Sequence, residues 1–288
     1  MPTELGRASL WDAWARTLRA TFGANLKAQL RWYTFSGWMI SSLLRPVFLI
    51  ASAAVIAHFL AGGAVPPRFF ALTGYTDYLA FVVLGLAANG LVLSALDDGG
   101  TAVYDEEQNG TWDLLALTPM NRFVWMFSKT LAGMTASLID FVLVLGAGAV
   151  LLRGVALTPA NLAVALAGLA LTLVALQGLG FLMAAAGLFW KQPYALSMIF
   201  NPMLVFASGM VFPVAALPGW LQAVSNALPV THGLHIFRDS LLLGRGFADL
   251  AGSFAALALT GLAFMVLGYL AFSFMERRAR TAGVLGSY

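Results

Sequence analysis

The chain has 288 residues, 60% of them apolar, 12% aromatic and only 10% charged, with a formal net charge of +3 and no cysteine. That apolar fraction is far above the usage of a soluble globular domain, and blocks of about twenty apolar residues match helical crossings of about 30 Å of hydrocarbon. Composition therefore excludes a soluble enzyme, a disulfide scaffold and thiolate chemistry. It predicts one all-α integral membrane domain over residues 1–288, since the alternating pattern of barrel strands is absent.

Residues 9–35 come first. Trp11, Trp14, Leu18, Phe22, Leu26, Leu30 and Tyr33 recur at spacings of three or four, with Arg16, Arg19, Lys27 and Arg31 on other faces. The pattern predicts an amphipathic helix, lying either on the membrane surface or as a wall against the first crossing. Gly23 interrupts it at a cost of about 1 kcal/mol relative to alanine, which allows two shorter helices. No cleavable signal pattern precedes the first crossing.

Six crossings are expected: Pro46–Leu60, Tyr78–Leu96, Val124–Leu152, Leu162–Phe189, Tyr194–Val214 and Phe254–Phe274. Arg45 and Pro46 read as a helix start at the interface, the guanidinium reaching headgroups and the proline occupying the first turn. Three polar residues fall inside these crossings: Asn89, Asp140 and Gln177. They support two readings. One is a polar clasp between helices, with Asp140 hydrogen-bonded to Asn89; the other is a substrate or proton path, because an intramembrane carboxylate is costly.

Between the second and third crossings lies an acidic island, 97–122. Ionised carboxylates do not tolerate hydrocarbon, so the island is expected to project as a docking surface. Gly110 allows the chain to break, Thr111 is placed to cap a short helix through its side chain, and Asp113 sits in the first turn, where the dipole favours an anion. Trp112 and Leu115 read as an apolar knob ringed by Asp105, Glu106, Glu107 and Asp113, and Pro119 ends the helix.

Residues 212–246 are apolar enough to resemble a seventh crossing, but Pro213, Pro218 and Pro229 each remove a backbone donor. A re-entrant hairpin of two short helices is expected, opened by Pro218 and Pro229. His232 and His235 could share a helix face but lack a third ligand.

Cations set the orientation. Twelve lysines and arginines fall on one side of the six-crossing arrangement and four on the other, which places both termini and the acidic island in the cytoplasm and the hairpin outside. A phosphate-cradling glycine loop ending in Lys-Ser or Lys-Thr, a His-Glu-x-x-His pair and a Gly-x-Ser-x-Gly elbow are all missing from the sequence. No catalytic or metal residue is assigned.

The stretch from Glu106 through Gly110, Thr111, Asp113, Leu115, Thr118 and Pro119, followed by Lys129, resembles the pattern Glu, Gly-Thr, acidic residue, Leu, Thr-Pro, then Lys of the ABC type-2 exporter permeases. Ser208-Gly209, Phe212-Pro213, Leu217-Pro218, Trp220, Pro229 to His232, Arg238 and Leu243-Gly244 extend the resemblance in the same order. Asp113 stands where glutamate is more common. The resemblance implies a transport subunit, not an enzyme, which pairs with a separate ABC ATPase holding ATP and Mg and with a second permease copy in a dimer in the cell inner membrane. It implies that Glu106, Glu107, Gly110, Thr111, Trp112, Asp113, Leu114, Leu115, Thr118 and Pro119 couple to the ATPase. It further implies that Pro213, Pro218, Trp220, Pro229, His232 and Arg238 form the external gate. The expected cargo is drug-like, lipid-linked or otherwise amphipathic, with no nucleic acid. The alternative is a proton- or ion-coupled secondary transporter using Asp140, although the inverted half-repeats common in such folds are absent.

Overall fold

The computed structural model describes residues 14–27, 67–118, 121–151 and 158–281, with a few isolated positions between 48 and 59. Among these residues the chain is helical and contains no strand. Helix α1 covers 14–27 and runs unbroken through Gly23, so the sequence's two-helix option is not taken there. The rest of the predicted N-terminal helix and nearly all of the first expected crossing lie outside the described residues.

Ten further helices follow: α2 (Pro67–Thr73), α3 (Tyr78–Gly100), α4 (Ala102–Gln108), α5 (Trp112–Leu117), α6 (Arg122–Leu151), α7 (Pro159–Trp190), α8 (Pro193–Ala207), α9 (Gly219–Ala227), α10 (Pro229–Leu242) and α11 (Ala251–Thr281), with a 3-10 turn at Val214–Ala216 between α8 and α9. Four of them, α3, α6, α7 and α11, are long and apolar enough to cross a membrane. The fifth expected crossing is corrected. Helix α8 ends at Ala207 rather than Val214, because Ser208 caps it and Gly209 turns the chain at φ 76°. At 15 residues α8 spans about 22 Å, less than the hydrocarbon thickness.

Helix starts follow local chemistry. Asp77 caps α3 by accepting from the Ala80 N–H at 3.0 Å, and Thr158 caps α7 by accepting from the Asn161 N–H at 3.3 Å, with Pro159 in the first turn. The ends of α7 and α8 meet at Lys191, which adopts the left-handed conformation at φ 54°.

Helix α7 is the hub of the bundle, packing against α11, α3 and α10, while α3 also packs against α6 and α8. Apolar burial does not drive helices together inside lipid, so close backbone approach has to do it. A Cβ placed on Gly99 of α3 would lie 2.5 Å from Gly180 Cα of α7. Along α7 and α11, a Cβ on Gly178 would lie 2.4 Å from the Met265 nitrogen, one on Gly268 2.4 Å from the Gly178 oxygen, and one on Gly261 2.7 Å from Ala175 Cβ.

The tightness of the α3–α7 crossing yields a prediction. Gly99→Val would force backbones apart, with overpacking costs of about 1–3 kcal/mol. The variant should unfold several degrees below wild type in detergent, whereas Gly90→Val, where a Cβ meets nothing, should not.

Candidate functional site

One end of the bundle carries the acidic segment. Helix α3 runs through Asp97 and Asp98 to Gly100 before the chain turns, so the first residues of the island belong to the crossing helix and do not project from it. The Asp98 carboxylate accepts from the Ser94 hydroxyl at 2.5 Å. It lies against Gly133 of α6, where a Cβ would come within 1.8 Å of Oδ2.

Helix α4 then folds over the adjacent ends of α6 and α7. Lys129 of α6 pins it: Nζ donates to the Ala102 carbonyl at 2.8 Å and to Glu106 Oε1 at 3.2 Å, and lies 3.6 Å from Asp105 Oδ2. Helix α4 ends at Gly110, φ 67°, where the Gly110 N–H donates to the Glu107 carbonyl and the Thr111 N–H to the Glu106 carbonyl. Thr111 stands at the cap of α5, but its hydroxyl caps nothing. It donates back to the Glu106 carboxylate, stapling the two short helices together.

The apolar knob is also corrected. Trp112 is only 4% exposed and packs inward against Trp125, ring centroids 5.9 Å apart, in a cluster with Met126, Phe181 and Phe272. The Arg122 guanidinium lies 5.3 Å from the Trp112 ring and pairs with Glu276 near the end of α11. What faces outward is Leu114, 66% exposed, and Leu117, 84% exposed, with Leu115 half-buried between them. Trp112 is the anchor and the two leucines are the contact surface, a division that helical spacing over six residues cannot assign. The Thr118 hydroxyl donates to the Leu115 carbonyl at 2.8 Å and closes the helix. The side chain of Asp113 and all of Pro119 lie outside the described residues.

The expected intramembrane clasp does not form. Oδ1 of Asn89 is buried without a hydrogen-bond partner, and Asp140 sits half-buried between the exposed Ile139 and Val142. Gln177 is held instead by Thr130 of α6, whose hydroxyl donates to its Oε1, and its Nε2 contacts Met134 Sδ at 3.5 Å. Threonine was missed because its hydroxyl usually returns to its own helix, as the Thr130 hydroxyl also does toward Met126 and Phe127.

At the opposite end, residues 208–245 form the expected pair of short helices. Pro218 precedes α9 and Pro229 occupies the first turn of α10. The Ser225 hydroxyl donates to the Ala207 carbonyl, tying α9 to the end of α8. His232 Nε2 is 2.8 Å from the Asn226 carbonyl, and Trp220 is 71% exposed. Among the described residues no group of three metal-ligating side chains occurs.

Arg238 is 4% exposed and organises this end. Its guanidinium donates to the Phe81 carbonyl at 2.9 and 3.2 Å, the Gly209 carbonyl at 2.8 Å and the Met210 carbonyl at 2.6 Å, and lies 3.4 Å from the centroid of the Phe81 ring. The approach depends on Gly85, where a Cβ would lie 2.0 Å from the Met210 oxygen. A cavity of about 140 Å³ opens beside it, with Pro213 in its wall; Trp220 and His232 are not among its lining. Asp239 was not anticipated: it accepts from the Tyr75 hydroxyl at 2.5 Å and from Arg245 at 2.7 Å, with His235 Nδ1 3.5 Å away. The signal was present, since His235 and Asp239 stand four apart on one helix.

Burial alone would raise the Asp239 carboxyl, but hydrogen bonds from His235 and Tyr75 and the charges of His235 and Arg245 outweigh it and hold it below the usual range. A carboxyl depressed in the folded state contributes stability above its unfolded value and loses it as pH falls through the folded one. Asp239→Asn should therefore destabilise the protein at pH 7 by about 1–3 kcal/mol, seen as a lower thermal midpoint. Its deficit against wild type should shrink as the buffer is taken below the ordinary carboxylate range, and thermal scans across that range check this.

Comparison with known proteins now has a structure to rest on. Residues 64–270 match the family described as ABC-2 family transporter protein. The chain is 27% identical over 183 residues to nodulation protein J of Sinorhizobium fredii (strain NBRC 101917 / NGR234), across 60% of this chain and 66% of that protein, just under two thirds of its length. The matched region takes in α2 through α10 and most of α11, and with the apolar crossings it identifies this chain as a multi-pass membrane protein of the ABC-2 transporter family.

Proposed function

We propose that this chain is the membrane-spanning subunit of an ATP-driven exporter, in which a separate ATPase binds ATP and Mg and supplies the force, and α4–α5 receive it. The observation that carries the reading is the anchoring of α5. Trp112 is buried among residues of α6, α7 and α11, Lys129 and Thr111 hold α4 against it, and Leu114 and Leu117 stay exposed. A helix fixed to three crossings, with Leu114 and Leu117 presented, can pass displacement from a docked partner into the bundle. Glu106, Glu107, Gly110, Thr111, Asp113, Leu115, Thr118 and Pro119 complete that coupling segment.

In this reading α4–α5 and both termini face the cytoplasm of a cell with this chain in its inner membrane, a second permease copy completes the pathway, and α9–α10 with Pro213, Pro218, Trp220, Pro229, His232 and Arg238 shape the external exit. The cargo is amphipathic: drug-like or lipid-linked. Residues 9–35, 97–122 and 212–246 are the surface helix, coupling segment and hairpin of one domain.

Leu117→Asp places a charge on the contact surface without touching the Trp112 anchor. It should abolish co-purification of the ATPase and substrate efflux while leaving the permease's own thermal midpoint unchanged. Gly110→Pro, which removes the Gly110 N–H and forbids φ 67°, and Glu107→Lys should uncouple efflux from hydrolysis. Normal transport in all three would remove the coupling assignment. Efflux that persists with the ATPase disabled but is lost in Asp140→Asn would replace it with ion-coupled transport.

A further inference from the structure

We propose that the cavity beside Arg238 binds a phosphate group. The inference is independent of ATPase coupling and concerns a ligand that the hairpin holds rather than the force that moves it.

The charge balance of the cavity is the starting point. Two guanidinium groups, Arg238 and Arg245, and one carboxylate, Asp239, face it, leaving one positive charge, and His235 stands at its rim. Asp239 makes no direct ion pair with Arg238: its oxygens are engaged by Tyr75 and Arg245, and among the described residues no carboxylate comes within ion-pair distance of Arg238. Arg238 is held by carbonyl dipoles and the face of the Phe81 ring rather than by an ion pair. Four hydrogen bonds to three carbonyls account for four of its five N–H groups. A buried cation without an ion-pair partner attracts an anion strongly, because little water is present to screen it.

The wall supplies a second, independent sign. The Thr231 hydroxyl is buried without a hydrogen-bond partner, an unfavourable state that a ligand oxygen relieves. A cavity of about 140 Å³ has room for one tetrahedral oxyanion and a few waters. The half-exposed side chain of Arg245 and the exposed side chain of His235 leave it open to the outside.

Position then selects phosphate among oxyanions. The cavity lies beside Tyr75, three residues before α3 begins its crossing at Tyr78, and so at the level of the bilayer headgroups, where the prevailing anion is the lipid phosphodiester. A lipid headgroup and free phosphate share this chemistry, and the experiment separates them.

The purified full-length chain is placed in maltoside micelles free of phospholipid and nucleotide, and its thermal midpoint is titrated first with inorganic phosphate and then, separately, with phosphatidylglycerol. Wild type should be stabilised saturably in at least one arm. Thr231→Val keeps the side-chain shape and removes the hydroxyl, so it should fold normally and bind about tenfold more weakly; Arg245→Gln should do likewise through charge. Saturation with phosphatidylglycerol alone identifies the lipid as the source, and saturation with inorganic phosphate identifies a soluble ligand. No saturable stabilisation in either arm, or equal binding by wild type and both variants, overturns the site.

Discussion

Inside a bilayer every backbone polar group needs a partner from the protein, and at the hairpin end of this bundle one side chain meets much of that requirement. Where α8 stops and the chain turns at Gly209, the carbonyls of Gly209 and Met210 lose their helical partners; the Arg238 guanidinium takes both. The same group reaches the Phe81 carbonyl and stacks on its ring, so the break in one helix, the start of α3 and the middle of α10 are joined at a single point. Five donors in a planar fork make this possible, which a lysine could not imitate.

Helix α3 links this junction to the other end of the molecule. Its first turns meet Arg238 and its last turn carries Asp98 and Gly99, packed on α6 and α7. The chain then enters α4, which Lys129 fastens to α6, and α5, which Trp112 fastens beneath the bundle. In the proposed coupling, a displacement at the exposed leucines passes to the ends of α6, α7 and α11 and along α3 to the hairpin. The Arg122–Glu276 pair makes the last helix part of that delivery.

Four crossings were legible in the pattern because length and apolarity leave a helix no alternative in hydrocarbon. The hairpin was legible because its prolines forbid a continuous helix, and their positions at the starts of α9 and α10 follow from the same chemistry. The fifth crossing was read too long, since nothing in its apolarity marks the turn that Ser208 and Gly209 make. Trp112 was misjudged for a different reason: in a six-residue helix an apolar residue can serve as anchor or as surface, and only the position of Trp125 decides between them. The pairing of Asn89 with Asp140 failed because depth along a helix says nothing about facing direction. Arg238 was assigned to the gate from a motif, but carbonyl acceptors carry no sequence signature, so its role as a buried joint had to come from geometry.

The glycine seam between α7 and α11 carries a mechanical meaning. At Gly178, Gly261 and Gly268 the two main chains touch with scarcely any side chain between them, and surfaces of that kind have no alternative rotamers through which to slip. The pair therefore behaves as a single stiff plank. In the proposed transport cycle, a rearrangement that alternates access would pivot around this plank, at looser joints cushioned by larger side chains.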